Sequence, residues 1–287
     1  MERVAQLVVD GFVDGVLIAV PAIGFSTIYA VLRFPNFAIG AHAALGAYAG
    51  YVANVGFHWP LPLAFVAAFA VAGILGAGGD RAIIAPLRQT GALTAAIGTI
   101  ALAICIENVL RFFFGNGLHS YDVPVLRDLS LGPVHVGPQA LENALVAGVV
   151  MVAVFALLRF TRIGKAMRAV ADDPTLAAIK GIDPARIATY ANLGGMGLAG
   201  LGGMLLAIDS SVSPTTGLDI ILPIFAAAVV GGLGSIPGAV VGALAVGIAE
   251  GLSLLVVSPE YRGAIGFAAI LLMLTLRPRG LLGAREF

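Results

Sequence analysis

The chain has 287 residues, of which 59% are hydrophobic and 11% are charged, and its net charge at neutral pH is zero. Soluble domains carry about 25% charged residues, so this composition excludes an ordinary soluble domain and fits a chain dissolved in lipid. The zero net charge argues against nucleic acid as a partner, and the single cysteine, Cys105, excludes an internal disulfide and a cysteine metal site.

The hydrophobic pattern predicts an all-α integral membrane protein with about eight transmembrane helices plus a half-helix, folded as a single domain over residues 1–287. About 20 apolar residues of helix cross a hydrocarbon core. The first ten residues match a signal peptide poorly, so we expect the first stretch to be retained as a span. The predicted spans are Gly11–Leu32, Asn36–Val55, Leu61–Gly79, Ala92–Phe114, Asn143–Leu158, Ile187–Ile208, Gly238–Val257 and Gly263–Leu276, with the half-helix at Ile220–Val230.

Basic residues concentrate in three places: between Arg81 and Arg88, between Arg159 and Arg186, and in the tail from Arg277 to Arg285. Cytoplasmic loops are enriched in Lys and Arg, so these three places should be cytoplasmic. The loop Gly115–Glu142 has one arginine against three acidic residues and should face outward. By the same count the N-terminus is external, provided that the half-helix crosses or re-enters the membrane.

Two segments, Arg33–Gly40 and Gly231–Gly238, join one apolar helix to another with no hydrophilic loop between them. Proline disfavours helix at and before its position, and irregular backbone at membrane depth is tolerated only in a protein core or beside a water-filled cavity. Paired interruptions in two halves of a chain indicate a solute path, whereas tight turns at the membrane surface are the alternative. The candidate path residues in these segments are Asn36, Phe37, Gly40, Gly232, Ser235 and Pro237.

On the first interpretation the two segments pack together as repeats, and their small residues keep a passage open. Bulky replacements at Gly40 or Gly234 should then block passage without unfolding the chain. Glu107 and Glu250 are further candidates, because charges inside apolar helices usually face the protein interior. Glu107 can instead pair with Arg111, four residues later, and Glu250 can instead clamp two helices.

The segment 160–185 contains signals for two short helices on the predicted cytoplasmic side. Gly164–Ala171 has an amphipathic pattern, Asp173 can cap a second helix that opens with Pro174, and Gly181 can end it. Two such helices would form a rigid knob, although composition alone favours an ordinary positively charged loop.

Five segments in order along nearly the whole chain resemble LivH-type permease subunits of the branched-chain amino acid ABC importer family. The matching residues are Asn36-Phe37-Ala38 with Gly40, Arg81-Ala82 with Pro86-Leu87-Arg88, the stretch Arg162–Ile182, the stretch Ala228–Ala239 continued to Glu250, and Arg277–Gly283.

This resemblance implies a multi-pass permease of the cell inner (cytoplasmic) membrane that works with other chains. The implied partners are a second, LivM-like permease, two cytoplasmic ATP-binding subunits, a periplasmic solute-binding protein and the lipid bilayer. The segment 160–185 would be the coupling-helix loop that meets an ATP-binding subunit, through Gly164, Arg168, Asp172, Asp173 and Gly181. No cofactor is expected, and the sequence contains no Gly-x-x-x-x-Gly-Lys-Ser/Thr loop for nucleotide.

Two departures from the family pattern leave the solute open. Ile39-Gly40-Ala41 stands where many relatives have His-Gly-Glu, and Glu107 stands where relatives often have Gln. Similar permeases carry urea, amides and small organic acids, so these remain alternatives to an amino acid.

Two other classes of protein fit less well. An intramembrane enzyme would need a nucleophile with a partner or paired acidic motifs, yet Ser235 has no histidine nearby in sequence, and the four histidines lack metal-ligand spacing. We therefore expect neither an enzyme nor a metal site. A stand-alone secondary transporter would need intramembrane charge for ion coupling, for which Glu107 and Glu250 are the candidates.

Overall fold

The computed structural model describes residues 2–123, 129–131, 134–258, 262–277 and 279–283. In this part of the chain, six helices are long and apolar enough to cross a membrane, and two shorter apolar helices accompany them. The helices are α1 (Glu2–Leu32), α2 (Ile39–Tyr51), α3 (Leu61–Gly79), α4 (Ala85–Arg88), α5 (Ala92–Phe114), α6 (Pro138–Phe160), α7 (Arg162–Asp172), α8 (Pro174–Ile179), α9 (Pro184–Asp209), α10 (Thr216–Gly231), α11 (Ile236–Ser253) and α12 (Arg262–Leu276).

Each of the nine predicted apolar segments contains a helix, which confirms the helical membrane fold. π-helical segments extend α2 over Val52–Gly56 and α3 over Asp80–Ile84. The predicted half-helix is longer than expected and begins at Thr216, whose hydroxyl accepts a hydrogen bond from the Ser213 backbone N–H at 2.9 Å in the turn before α10.

A two-stranded antiparallel hairpin, β1 (Leu129–Leu131) with β2 (Val134–Val136), was not predicted. The hairpin marks one end of the bundle, where the backbone N–H of His135 donates to Oε1 of Gln6 in α1 at 2.8 Å. The loop that carries the hairpin and the start of α1 therefore share one end, which we call the hairpin end.

The opposite end of the bundle, the α7–α8 end, holds the basic segments. There the guanidinium of Arg33, at the end of α1, donates a hydrogen bond to the carbonyl of Ala171 in α7. Arg81, Arg88 and Arg186 line one cavity together with Val170 and Pro174 of the α7–α8 segment. The distribution of Lys and Arg predicted that these segments lie on one side of the membrane, and in the fold they lie at one end of the bundle.

Helix α9 lies at the centre of the bundle and packs against α1, α2 and α3. Small residues allow this, because membrane helices associate through close backbone approach. A Cβ added at Gly24 of α1 would lie 2.4 Å from the carbonyl oxygen of Gly195, and one added at Gly203 would lie 2.1 Å from that of Ala43. The outward surfaces of α5, α6 and α12 expose large apolar side chains, as expected of faces in lipid. The chain is thus a multi-pass membrane protein.

Candidate functional site

The first interrupted segment, residues 33–38, is tied to a neighbouring helix, and Phe34, Asn36 and Ala38 in it are buried, whereas Arg33 is exposed. The Asn36 side chain is 2% exposed, and its Oδ1 accepts a hydrogen bond from the Ala38 backbone N–H at 3.0 Å. The backbone N–H of Phe37 donates to Oγ1 of Thr99 in α5 at 3.0 Å. Two backbone N–H groups of this break therefore find acceptors inside the protein, where water is not available to them.

The Phe37 ring connects this segment to α10. It stacks on the ring of Phe225 with centroids 5.0 Å apart, and Phe225 in turn contacts Phe25 of α1 at 4.6 Å. Gly40, at the start of α2, faces Gly217, at the start of α10: a Cβ on Gly40 would lie 2.3 Å from the Gly217 carbonyl oxygen. The structure thus gives Gly40 a packing contact rather than an open wall.

A cavity of about 150 Å³ lies between α2, α5 and α10, and we call it the α2–α5–α10 cavity. Two candidate path residues, Phe37 and Glu107, line it. Oε1 of Glu107 accepts a hydrogen bond from Nη2 of Arg111 at 2.5 Å, so the predicted pair forms. The remaining lining residues are Ala41, Ala44, Ile100, Ala103, Ile104, Leu110, Pro214, Gly217, Leu218 and Ile221.

The second interrupted segment lies at the other end of α10. Gly232 and Gly234 have φ angles of +109° and +80°, and Oγ of Ser235 caps α11 by accepting from the Gly238 N–H at 3.1 Å. Pro237 lies in the first turn of α11. Since α10 has 16 residues, about 24 Å of helix separates Gly40 from Gly232. The structure therefore separates Gly40 from Gly232, although Arg33, at the start of the first segment, lies beside Gly234 and Ser235.

The C-terminal tail closes this second segment. The backbone N–H groups of Leu281 and Leu282 donate to the carbonyls of Val230 and Gly231, each at 2.9 Å. These carbonyls belong to the last turn of α10 and have no partner within the helix. Gly234, Ser235 and Leu282 border a cavity of about 270 Å³ at the α7–α8 end, together with Arg33 and Asp172.

Glu250 borders a third cavity, distinct from those that contain Glu107 and Ser235. Its side chain is buried and borders a cavity of about 350 Å³ with carboxylates from three other helices: Asp14 of α1, Asp209 of α9 and Asp219 of α10. Nδ2 of Asn143 donates to Oδ2 of Asp209 at 3.2 Å. The structure thus separates Glu250 from Glu107, and the candidate path residues fall into three groups.

Two short helices occupy the segment 160–185. Thr161 caps α7 by accepting from the Gly164 N–H at 3.1 Å, and Asp173 caps α8 by accepting from the N–H groups of Thr175 and Leu176 at 2.8 and 2.9 Å. Gly181 follows α8 with a φ of +85°. The Asp173 cap and the Gly181 end were predicted from the sequence, whereas the Thr161 cap was not.

Helix α7 buries one face and exposes the other. Gly164, Met167 and Val170 are buried against the bundle, whereas Arg168 and Asp172 are exposed. Gly164 is tightly packed, since a Cβ there would lie 2.3 Å from the carbonyl oxygen of Leu158. The exposed face is free to meet another protein.

The family whose sequence model matches residues 7–274 is described as "Branched-chain amino acid transport system / permease component". The chain belongs to this family. It is 32% identical to the high-affinity branched-chain amino acid transport system permease protein LivH of Escherichia coli (strain K12), over 98% of this chain and 96% of that protein. It is 29% identical to BraD of Pseudomonas aeruginosa over 98% and 96%, and 29% identical to a probable LivH of Methanocaldococcus jannaschii over 82% and 76%.

Sequence reasoning missed two cavities of this permease. One, of about 760 Å³, lies at the α7–α8 end and contains the ion pair between Nη2 of Arg88 and Oδ2 of Asp80 at 2.8 Å. From the sequence, Arg88 was used only to assign the cytoplasmic side of the membrane. The other is the cavity bordered by Glu250 and three aspartates. Asp14 and Glu250 lie far along the chain from Asp209 and Asp219, so no local pattern could have grouped all four carboxylates.

Proposed function

We propose that this permease is the membrane-spanning subunit of an ATP-driven importer of the cell inner (cytoplasmic) membrane, and that it carries a branched-chain or other small amino acid delivered by a periplasmic binding protein. The observation that carries the proposal is the family match over residues 7–274. The family consists of transport permeases rather than enzymes. Urea, amides or small organic acids are the alternative solutes.

The proposed partners are a second, LivM-like permease and two cytoplasmic ATP-binding subunits. The sequence supplies no Gly-x-x-x-x-Gly-Lys-Ser/Thr loop for nucleotide, so in an ATP-driven importer another chain would bind the ATP. The exposed α7–α8 segment supports a contact with that chain. In this arrangement Arg168 and Asp172 meet the ATP-binding subunit, whereas Gly164, Asp173 and Gly181 set the shape of the segment.

The solute path of this subunit is proposed to follow the α2–α5–α10 cavity. Phe37 and Glu107 line it, and Asn36 and Gly40 hold the break that shapes it. The segment with Gly232, Ser235 and Pro237 lies beside Arg33 and Asp172 at the α7–α8 end. Its place supports a role in transmitting movement from α7 to α10, rather than in lining the first cavity.

The test is a charge reversal at the exposed face of α7. In the complete importer, Arg168→Glu should lower transport-coupled ATP hydrolysis at least about tenfold while membrane insertion stays unchanged, because a charged contact would become repulsive. The control is Arg3→Glu, an exposed charge reversal at the opposite end of the bundle. ATP-independent uptake by this chain alone, or equal coupling in both variants, would refute the proposal.

A further inference from the structure

We propose that the cavity at the α7–α8 end binds the headgroup of an anionic phospholipid, and that Arg81 receives the phosphate. This cavity, here called the arginine cavity, is bordered by the end of α1, the segment 80–89, the α7–α8 segment and the start of α9. Its volume is about 760 Å³, which is in the range of pockets that hold small molecules. Lipid binding there requires only a membrane protein with this fold, so it does not depend on which solute the permease carries.

The charges that border the arginine cavity leave one positive charge without a partner. Nη2 of Arg88 contacts Oδ2 of Asp80 at 2.8 Å, and Nε of Arg186 contacts Oδ2 of Asp183 at 3.1 Å. Arg81 also borders the cavity and forms no ion pair within the described part of the chain. A lipid phosphate diester carries one negative charge, which the Arg81 guanidinium can hold with two parallel N–H donors. The two paired guanidiniums keep further N–H donors for the same phosphate.

The depth of Arg81 in the membrane matches the level of the lipid phosphates. Phe57 and Trp59, just before α3, are 66% and 45% exposed, and exposed aromatic side chains mark the boundary between lipid and water. From Leu61 the helix continues without a break to Arg88. Arg81 lies about 20 residues, or about 30 Å, along this helix, and the hydrocarbon core is about 30 Å thick. Arg81 therefore lies where the phosphate groups of the opposite leaflet begin.

The arginine cavity adjoins a surface that suits acyl chains. Ile83, two residues after Arg81, is 45% exposed, and Leu93, at the start of α5, is 76% exposed. Inside the cavity, Val31 and Leu32 at the end of α1 supply an apolar wall beside the arginines. Basic pockets between membrane helices are known sites for lipid headgroups. A phospholipid can thus place its phosphate on the arginines while its glycerol and first acyl carbons contact apolar side chains.

An acidic side chain of another protein is the competing occupant, and the position of α7 favours lipid over it. Val170 borders the arginine cavity and belongs to the buried face of α7. Arg168 and Asp172, on the exposed face, do not border it. A protein that docks on the exposed face of α7 therefore meets a different surface from the one that encloses Arg81.

The test is the binding of fluorescent phosphatidylglycerol to the complete importer in detergent. Arg81→Gln should weaken binding about fivefold, whereas Arg81→Lys, which keeps the charge, should stay within about twofold of the unmodified importer. The matched control is Arg162→Gln, which removes an exposed arginine of α7 at the same end that does not border the cavity. Equal losses for Arg81→Gln and Arg162→Gln would overturn the inference. Displacement of the lipid by inorganic phosphate at the same concentration would also overturn it, because the site would then hold a soluble anion.

A second measurement keeps all three arginines in place. Ala85→Cys, at a position that borders the cavity, is made in a Cys105→Ala background of the complete importer. It should react with a small maleimide about fivefold more slowly in phosphatidylglycerol vesicles than in phosphatidylcholine vesicles. Thr90→Cys, an exposed position outside the cavity, corrects for the effect of membrane charge on thiol reactivity. Equal slowing at both positions would contradict a lipid site. Protection that is equal in both lipids and requires the ATP-binding subunits would assign the cavity to that partner and refute the inference.

Discussion

Residues 34–38, between α1 and α2, lie mostly inside the helical bundle, whereas residues 232–235, between α10 and α11, lie at its α7–α8 end against the C-terminal tail. Phe34 and Asn36 are each 2% exposed, but Leu233 is 41% exposed. The first segment depends on hydrogen bonds to its own Asn36 and to Thr99. The second depends on two glycines with positive φ and on the tail.

The difference shows that glycine serves two separate purposes in this permease. At Gly40 the missing side chain lets the backbones of α2 and α10 approach closely. At Gly234 it permits a left-handed conformation, and a Cβ there would make only ordinary van der Waals contacts, the nearest with Cα of Ala30 at 3.6 Å. Identical substitutions at the two positions should therefore have different costs.

The largest effect is expected for Gly40→Ala. Its methyl group would lie 2.3 Å from the Gly217 carbonyl oxygen, and backbone on both sides cannot move aside easily. Overpacking of this kind costs about 3 kcal/mol. We expect a large loss of folded protein and a lower thermal unfolding midpoint in detergent. Gly78→Ala is the control, because a Cβ there meets nothing within 4 Å.

An unchanged unfolding midpoint for Gly40→Ala would mean that α2 and α10 do not approach closely in the membrane. Loss of transport with full folding would instead return Gly40 to the role expected from the sequence, that of an open passage wall. The comparison with Gly78→Ala separates these results from the general effect of alanine in a membrane helix.

Local signals explain which parts of the fold could be predicted. Asp173 and Pro174 begin α8, and Gly181 follows its end, because caps and left-handed glycines act within a few residues. The apolar segments likewise predicted the membrane helices. The hairpin was missed, since its strands are three residues long and lie in a polar loop.

The candidate site could be predicted only in part, because it depends on contacts between distant segments. Glu107 and Arg111 are four residues apart, so their pairing was readable from the sequence. The contact of Gly40 with Gly217 joins residues far apart along the chain. Nothing in either segment alone indicates that contact. For the same reason, the sequence does not show that Gly40 and Gly232 lie at opposite ends of α10, and the two segments were predicted to pack together.

An intermediate effect is expected from removal of the tail. A chain that stops before residue 279 loses the hydrogen bonds from Leu281 and Leu282 to the end of α10. At about 1 kcal/mol for each bond, the loss is about 2 kcal/mol, confined to this end. We expect faster amide hydrogen exchange at the end of α10. A chain that stops after Gly283 keeps both bonds and is the control; equal exchange in the two chains would contradict a closing role for the tail.

The smallest effect is expected for Gly234→Ala, and it isolates backbone conformation from packing. The nearest atoms to an added Cβ, in Ala30 and Tyr29, lie at ordinary contact distances of 3.6 Å, so no overlap arises. What remains is the cost of holding a non-glycine residue at a φ of +80°, about 1–2 kcal/mol. Gly234→Asn should cost less than Gly234→Ala, since asparagine visits left-handed conformations more readily. Both unfolding midpoints should therefore lie between those of Gly78→Ala and Gly40→Ala, with the asparagine variant higher. If alanine and asparagine lowered the midpoint equally, φ would not be the cause; if both matched Gly40→Ala, this segment would be packed as tightly as the first, and the contrast between the two interruptions would not hold.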